Sequence, residues 1–189
     1  MPNPGLRHIS LKTRDLEKTE RFYIDVLGLE VAFRSPPKRV FLRSILLSDS
    51  YARAIPPTGS QIIGAWFRDI VDLSLLTVRY PLVFVFCRFD QTVSMMRLRT
   101  TDSISLRGSK FTGALNMNSI RIDGDLLMDT QAWFSKVDLA CAIVGGIVDM
   151  RGSKFTSDLN MSSLQIGGDL YMSDQAQFAE VNLGLGFYG

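Results

Sequence analysis

The side chains best suited to covalent or metal chemistry are few. The chain of 189 residues contains one histidine, His8, and two cysteines, Cys87 and Cys141. A Ser-His-Asp triad or a Cys-His pair would have to use His8, and a metal site with several histidines from one chain is excluded. Two cysteines cannot build a disulfide framework, which favours a reduced, cytoplasmic protein. Neither cysteine has a base near it in the sequence, so we interpret both as small buried hydrophobic residues.

The aspartates of the C-terminal half are the other candidate ligands. Calcium-binding β-rolls use dense Gly-Gly-x-Gly-x-Asp arrays, and the glycine pairs at 145–146 and 167–168 lack that context. We therefore interpret the aspartates as exposed side chains that solvate the surface and protect strand edges. They are Asp123, Asp125, Asp129, Asp138, Asp149, Asp158, Asp169 and Asp174. Arg97, Arg99 and Arg107 form a small basic patch typical of a solvated face.

A repeat dominates the remaining sequence. Apolar residues separated by one position recur every eleven residues, from Val71 and Leu73 to Val181 and Leu183. A second track in the same register largely alternates between aromatic and aliphatic residues, so the unit is 22 residues. This track comprises Phe67, Val78, Phe89, Thr100, Phe111, Ile122, Trp133, Val144, Phe155, Ile166 and Gln177.

Each eleven subdivides into five and six, as from Leu106 to Phe111 to Met117. The large residues belong to apolar-polar-apolar triplets, which predict very short strands. Four triplets per unit, separated by Gly, Ser, Asp and Asn, predict a four-sided coil. A helical repeat is the alternative, because eleven is near three helical turns, but these spacings would surround a helix with apolar residues. The fold class is therefore predicted as all-β, a β-helix of about six coils over residues 60–189, which follow a separate segment at 1–59.

Stacked coils place equivalent residues on top of one another. Phe67, Phe89, Phe111 and Phe155 are thus expected to form an aromatic ladder, interrupted at Trp133. Because Phe134 matches Phe178 at 44 residues, a local insertion or bulge is expected there. The other predicted ladder residues are Met117, Met128, Leu139, Met150, Met161 and Met172.

The five-and-six spacing, with small residues such as Ser109, Ala142 and Ser153 at alternate inward positions, resembles that of pentapeptide-repeat proteins. Residues 124–128 and 168–172, Gly-Asp-Leu-Leu-Met and Gly-Asp-Leu-Tyr-Met, resemble the divergent eleven-residue form of that repeat. The resemblance covers residues 60–183 and implies a right-handed quadrilateral β-helix. Some members of the family mimic DNA and bind topoisomerases, through a strongly acidic surface and C-terminal dimerisation.

Residues 1–59 do not share the period and predict a small β-α-β segment followed by a linker at 48–59. The pattern His-Ile-x-Leu…Asp-Leu-x5-Phe-Tyr-x2-Val-Leu-Gly-Leu-Glu, within residues 6–34, resembles the start of a glyoxalase/bleomycin-resistance (vicinal oxygen chelate) module. That resemblance implies a divalent metal at His8. The alternative is a partly buried strand histidine, because the family's other ligands come from later strands and a second module.

The charge balance is mild: +4 over residues 1–59, +3 over 60–112 and −5 over 113–189. This density does not favour nucleic acid as a partner, and no apolar run approaches the roughly 18 residues of a membrane span. We therefore expect a non-catalytic scaffold or protein-interaction module without a cofactor, binding an unidentified protein partner or forming a homodimer by end-to-end coil stacking. The alternatives are a metal-dependent glyoxalase or dioxygenase-type enzyme, or its remnant, that uses His8, and a DNA-mimicking topoisomerase-binding protein.

Overall fold

The structure, a computed structural model, describes residues 60–184. These residues form strands and turns without a helix, and wind into a β-solenoid of about six coils. Equivalent residues of adjacent coils pair in parallel, as Leu126 does with Ile104 on one side and Val148 on the other. The predicted all-β solenoid with a 22-residue repeat is confirmed. The predicted β-α-β segment lies outside the described residues.

The strands stack in four columns, here called faces 1 to 4 in the order in which the chain visits them. Face 1 contains Ser60–Ile63, Leu82–Val85, Ile104–Ser105, Leu126–Leu127, Val148–Asp149 and Leu170–Tyr171. Face 2 contains Trp66–Phe67, Arg88–Phe89, Lys110–Phe111 and Trp133–Phe134, and face 3 contains Val71–Asp72, Val93–Ser94, Leu115–Asn116 and Val137–Asp138. Lys154–Asn160 and Gln177–Asn182 continue around the corner and belong to both of these faces. Face 4 contains Thr77–Val78, Arg99–Thr100, Arg121–Ile122, Ile143–Val144 and Gln165–Ile166.

Each face turns two side chains inward with one outward side chain between them, because side chains alternate along a strand. In the third coil both inward side chains of every face are at most 1% exposed. From face 1 to face 4 they are Ile104 and Leu106, Ser109 and Phe111, Leu115 and Met117, and Ile120 and Ile122. The buried hydroxyls of Thr100, Ser109 and Ser153 bond to backbone carbonyls in this interior. The Ser109 hydroxyl, for instance, donates to the carbonyl of Phe84 and accepts from the N–H of Cys87, both at 2.9 Å. A single apolar core therefore runs through the described coils.

Two of the four corners turn through residues with positive φ. Between faces 1 and 2 this position is often glycine, and at Gly108 a Cβ would lie 2.4 Å from the ring of Phe86 in the preceding coil. Between faces 3 and 4 the left-handed residues are Leu75, Arg97, Ser119, Cys141 and Ser163, although this conformation costs an L-residue about 1–2 kcal/mol. Backbone hydrogen bonds to the next coil stabilise these corners, as from the N–H of Leu75 to the carbonyl of Met96 at 3.0 Å.

Candidate functional surface

The phenylalanines of face 2 form a continuous stack inside the solenoid. Adjacent rings lie 4.4–5.2 Å apart between centroids, with interplanar angles of 6–19°. The predicted members Phe89, Phe111 and Phe155 are at most 1% exposed, and Phe67 at the first coil is partly buried. In chain order the stack is Phe67, Phe89, Phe111, Phe134, Phe155 and Phe178.

The second track of the sequence is wrong at two positions, where the ladder uses Phe134 instead of Trp133 and Phe178 instead of Gln177. The reason is an extra residue in the preceding corner. Where the third coil turns through Gly108 alone, the fourth turns through two left-handed residues, Thr130 and Gln131. Trp133 therefore faces outward, in register with Lys110, whose Nζ lies 4.9 Å from the Trp133 ring centroid.

The methionine and leucine ladder residues divide between two faces. Those of face 1 are Met128, Met150 and Met172, and those of face 3 are Met117, Leu139 and Met161. All are buried apart from Met172, which is partly buried in the last described coil. These side chains fill the core and are not available to a ligand at the surface of the middle coils.

Neither the histidine nor the cysteines form a reactive cluster. His8 lies outside the described residues, and within 60–184 no three His, Cys, Asp or Glu side chains are grouped to hold a metal. Cys87 is buried on face 2, at the inward position that the small residues Ala65 and Ser109 occupy in the adjacent coils. Burial raises the pKa of its thiol. Cys141 contradicts the expectation of burial. It occupies the left-handed corner between faces 3 and 4, where the side chain is exposed.

The aspartates are mostly structural, and the expectation that all are exposed is wrong for five of them: Asp149 is buried, and Asp125, Asp129, Asp138 and Asp158 are partly buried. Asp149 is 1% exposed because the guanidinium of Arg151 folds over its carboxylate, with Nη2 2.6 Å from Oδ2. This hydrogen bond, followed by those to the backbone, holds the pKa of Asp149 below its usual range against the opposing effect of burial. Asp129 pairs with Arg107 at 2.7 Å. Within the described coils these carboxylates therefore form ion pairs with arginines and hydrogen bonds to the backbone, which are structural roles.

Outward side chains of face 3 form a polar ladder that shapes the next corner. An Asp or Asn oxygen accepts a hydrogen bond from the backbone N–H two residues on, at 2.9–3.1 Å. The residues that do so are Asp72, Asn116, Asp138, Asn160 and Asn182. These Asx turns explain why Asp and Asn recur at this position of the repeat.

Most cations without an ion pair or a ring contact in residues 60–184 border face 4; the exception is Lys154 on face 2. Of the eleven Lys and Arg side chains in residues 60–184, four form ion pairs and two lie over tryptophan rings. Four of the other five border face 4, a set here called the face-4 arginines: Arg79, Arg97, Arg99 and Arg121. The predicted patch contained Arg107, which instead lies at the opposite corner. The 22-residue spacing of Arg99 and Arg121 is the sequence signal that identifies the true cluster.

The last described coil is open on its outer side. Leu170 is 39% and Leu183 is 57% exposed, although the equivalent residues of middle coils are buried. In lower coils the N–H groups of face 3 donate to the next coil, as Leu115 does to Lys136 and Met117 to Asp138. The corresponding N–H groups of Val181 and Leu183 have no further coil among residues 60–184. The described solenoid therefore ends in an apolar, unpaired edge.

Comparison of the chain with protein-family models, with curated proteins and with solved structures finds no match. No helix within residues 60–184 has the length and apolar character to span a membrane.

Proposed function

We propose that residues 60–189 form a non-catalytic scaffold that binds a protein partner and self-associates through its coil ends. The repeat provides parallel faces whose interior is occupied by stacked hydrophobic side chains. Such a repeat presents a long regular surface, which is the usual basis of partner binding by solenoid proteins.

The open last coil is the observation that carries the self-association. An edge strand with free N–H and C=O groups is a template for pairing with another chain. Within residues 60–184 no further coil pairs the outer backbone groups of Val181 and Leu183, and the Leu183 side chain is exposed at this edge. A second copy stacked on the coil would pair the backbone and bury Leu170 and Leu183, as every interior coil does for its neighbour.

The finer family assignment is also a proposal. Two inward residues per face and one small column, containing Ala65, Cys87 and Ser109, support a divergent pentapeptide-repeat type of coil. The division of the chain at residue 59/60 is supported by the start of the repeat there. The glyoxalase-type reading of His8 rests on the motif alone.

Sedimentation velocity tests the self-association. We expect the purified chain to form dimers at tens of micromolar, and Leu183→Lys to be monomeric because it places a charge on the open coil. The matched control is Leu75→Lys, since Leu75 is 64% exposed on a side corner and not at the coil end. The control should dimerise like the wild type. A wild-type chain that stays monomeric at high micromolar concentration would overturn this part of the proposal.

A further inference from the structure

Arg99 and Arg121 occupy directly paired positions in adjacent coils of face 4. Strands in a sheet lie about 4.8 Å apart, so two guanidinium groups project from neighbouring positions of one flat face. Like charges at paired positions of a sheet are destabilising. No carboxylate lies within ion-pairing distance of either side chain in the described coils, so this repulsion is not offset by a counter-charge.

Arg97 and Arg79 extend the same patch. Arg97 precedes Arg99 at the left-handed corner between faces 3 and 4, and Arg79 follows the strand Thr77–Val78 of the coil below. The acidic groups nearest in sequence are Asp102 and Asp123, at the corner between faces 4 and 1. Asp102 accepts the backbone N–H of Ser103 at 2.7 Å, and neither aspartate forms an ion pair with the face-4 arginines. The patch thus keeps an excess of positive charge.

The shape of the patch favours carboxylates on a protein segment over nucleic acid. The outward residues of the face-4 strands contain no aromatic ring on which a base could stack, being Thr77, Arg99, Arg121, Ile143 and Gln165. The four arginines span about two coil rises, roughly 10 Å, which is short for the many phosphate contacts of a duplex site. Acidic side chains on one side of a helix or an extended segment recur at about 5–7 Å, which matches the arginine spacing. The planar guanidinium can bind each carboxylate through two parallel hydrogen bonds.

We propose that the face-4 arginines are the docking surface for an Asp/Glu-rich segment of the protein partner. The inference rests on the proposed scaffold function and adds the chemistry of the partner. Carboxylates of the partner would neutralise the repulsion between Arg99 and Arg121. A cation that already pairs with a carboxylate, as Arg88 does with Asp90, would not gain this stabilisation.

Fluorescence anisotropy with a labelled octaglutamate peptide tests the proposal. We expect the double variant R99Q/R121Q to bind the peptide at least tenfold more weakly than the wild type. The matched control is K136Q/K154Q, which removes the same charge from cations outside face 4 and should change affinity less than twofold. R99K/R121K keeps the charge but loses the bidentate fork, and should lie between the wild type and R99Q/R121Q. Thermal melts at low salt should show R99Q/R121Q at least as stable as the wild type, because a like-charge pair is removed.

Four results would overturn the inference. If K136Q/K154Q weakened peptide binding as much as R99Q/R121Q does, the affinity would depend on net charge alone. Tighter binding of a 20-nucleotide single-stranded or duplex DNA, lost in R99Q/R121Q, would assign the patch to nucleic acid. A change of oligomeric state in R99Q/R121Q would assign it to a second copy of the chain. A wild type that dimerises but does not bind the peptide overturns the partner chemistry and leaves the scaffold function standing, so the two failures are distinguishable.

Discussion

Replacing Phe134 with alanine tests the register of the core where sequence and structure differ. Phe134 is fully buried, and its ring stacks on Phe111 at 5.2 Å and on Phe155 at 5.0 Å. A buried Phe→Ala change costs about 3–5 kcal/mol, and each aromatic pair contributes about 0.5–1.5 kcal/mol beyond its buried area. Because two stacked contacts are lost in the middle of the ladder, we expect the free energy of unfolding to fall by about 4 kcal/mol.

The matched variant is Trp133→Ala, the neighbouring residue that the repeat alone assigns to the ladder. Its ring is partly exposed and contacts Lys110, an interaction worth about 0.5–1 kcal/mol at an exposed site. We expect a loss of about 1 kcal/mol, measured like that of Phe134→Ala by urea denaturation followed by circular dichroism. A larger loss for Trp133→Ala than for Phe134→Ala, or a loss below about 1 kcal/mol for Phe134→Ala, would refute the register.

Three further predictions concern the core and its polar neighbours. Phe111→Ala and Phe155→Ala should each cost about 3–5 kcal/mol in urea denaturation, and losses under about 1 kcal/mol would contradict their burial. Asp149→Asn should cost about 1.5–3 kcal/mol at pH 7 by weakening the charge-assisted hydrogen bonds to Arg151. Since the pKa of Asp149 is lowered in the fold, its contribution is fully present above the unfolded value of about 3.9 and is lost progressively as the pH falls from there through the lower pKa of the folded state. A difference between wild type and Asp149→Asn that is unchanged at pH 3 would contradict this. The buried Tyr80 hydroxyl has no hydrogen-bond partner within residues 60–184, so Tyr80→Phe should raise stability by about 1 kcal/mol, and a loss of stability would show an unrecognised partner.

The repeat was predictable because inward residues follow a simple spacing. Apolar triplets that recur every 22 residues are sufficient to specify four faces, and the structure places Leu115 and Met117 on one of them as expected. The 22-residue spacing alone places Trp133 in the ladder, whereas the 44-residue match of Phe134 with Phe178 predicted an insertion there, and the structure has an extra corner residue. One residue is added at the Thr130–Gln131 corner, but Val137 again pairs with Leu115, 22 residues earlier. The average period is therefore unchanged.

The candidate surfaces were harder to predict than the core. Outward residues are not constrained by packing, and their partners are set by which corners lie side by side. Arg107 appeared to belong with Arg99 by sequence proximity, but it pairs with Asp129 in the next coil. Cys141 is likewise exposed because it lies at a left-handed corner. Its apolar neighbours along the chain do not indicate this corner.

Two assays address the alternatives that the sequence raised for other functions. Metal analysis of the wild type and His8→Ala should show no stoichiometric divalent metal, whereas metal that is lost in the variant would support the glyoxalase-type alternative. A DNA supercoiling assay should show no inhibition of topoisomerase by the chain, and specific inhibition would support DNA mimicry.

Hydrogen exchange at the last coil tests the central claim most directly. If copies of the chain stack through their coil ends, the N–H groups of Val181 and Leu183, which no further coil pairs within residues 60–184, become paired in the dimer. Amide protection in Gln177–Asn182 should therefore rise as the protein concentration increases through the association range, while the corner at Leu75 stays unchanged. Protection that is independent of concentration at this strand, or that rises only on a side face, would contradict the account.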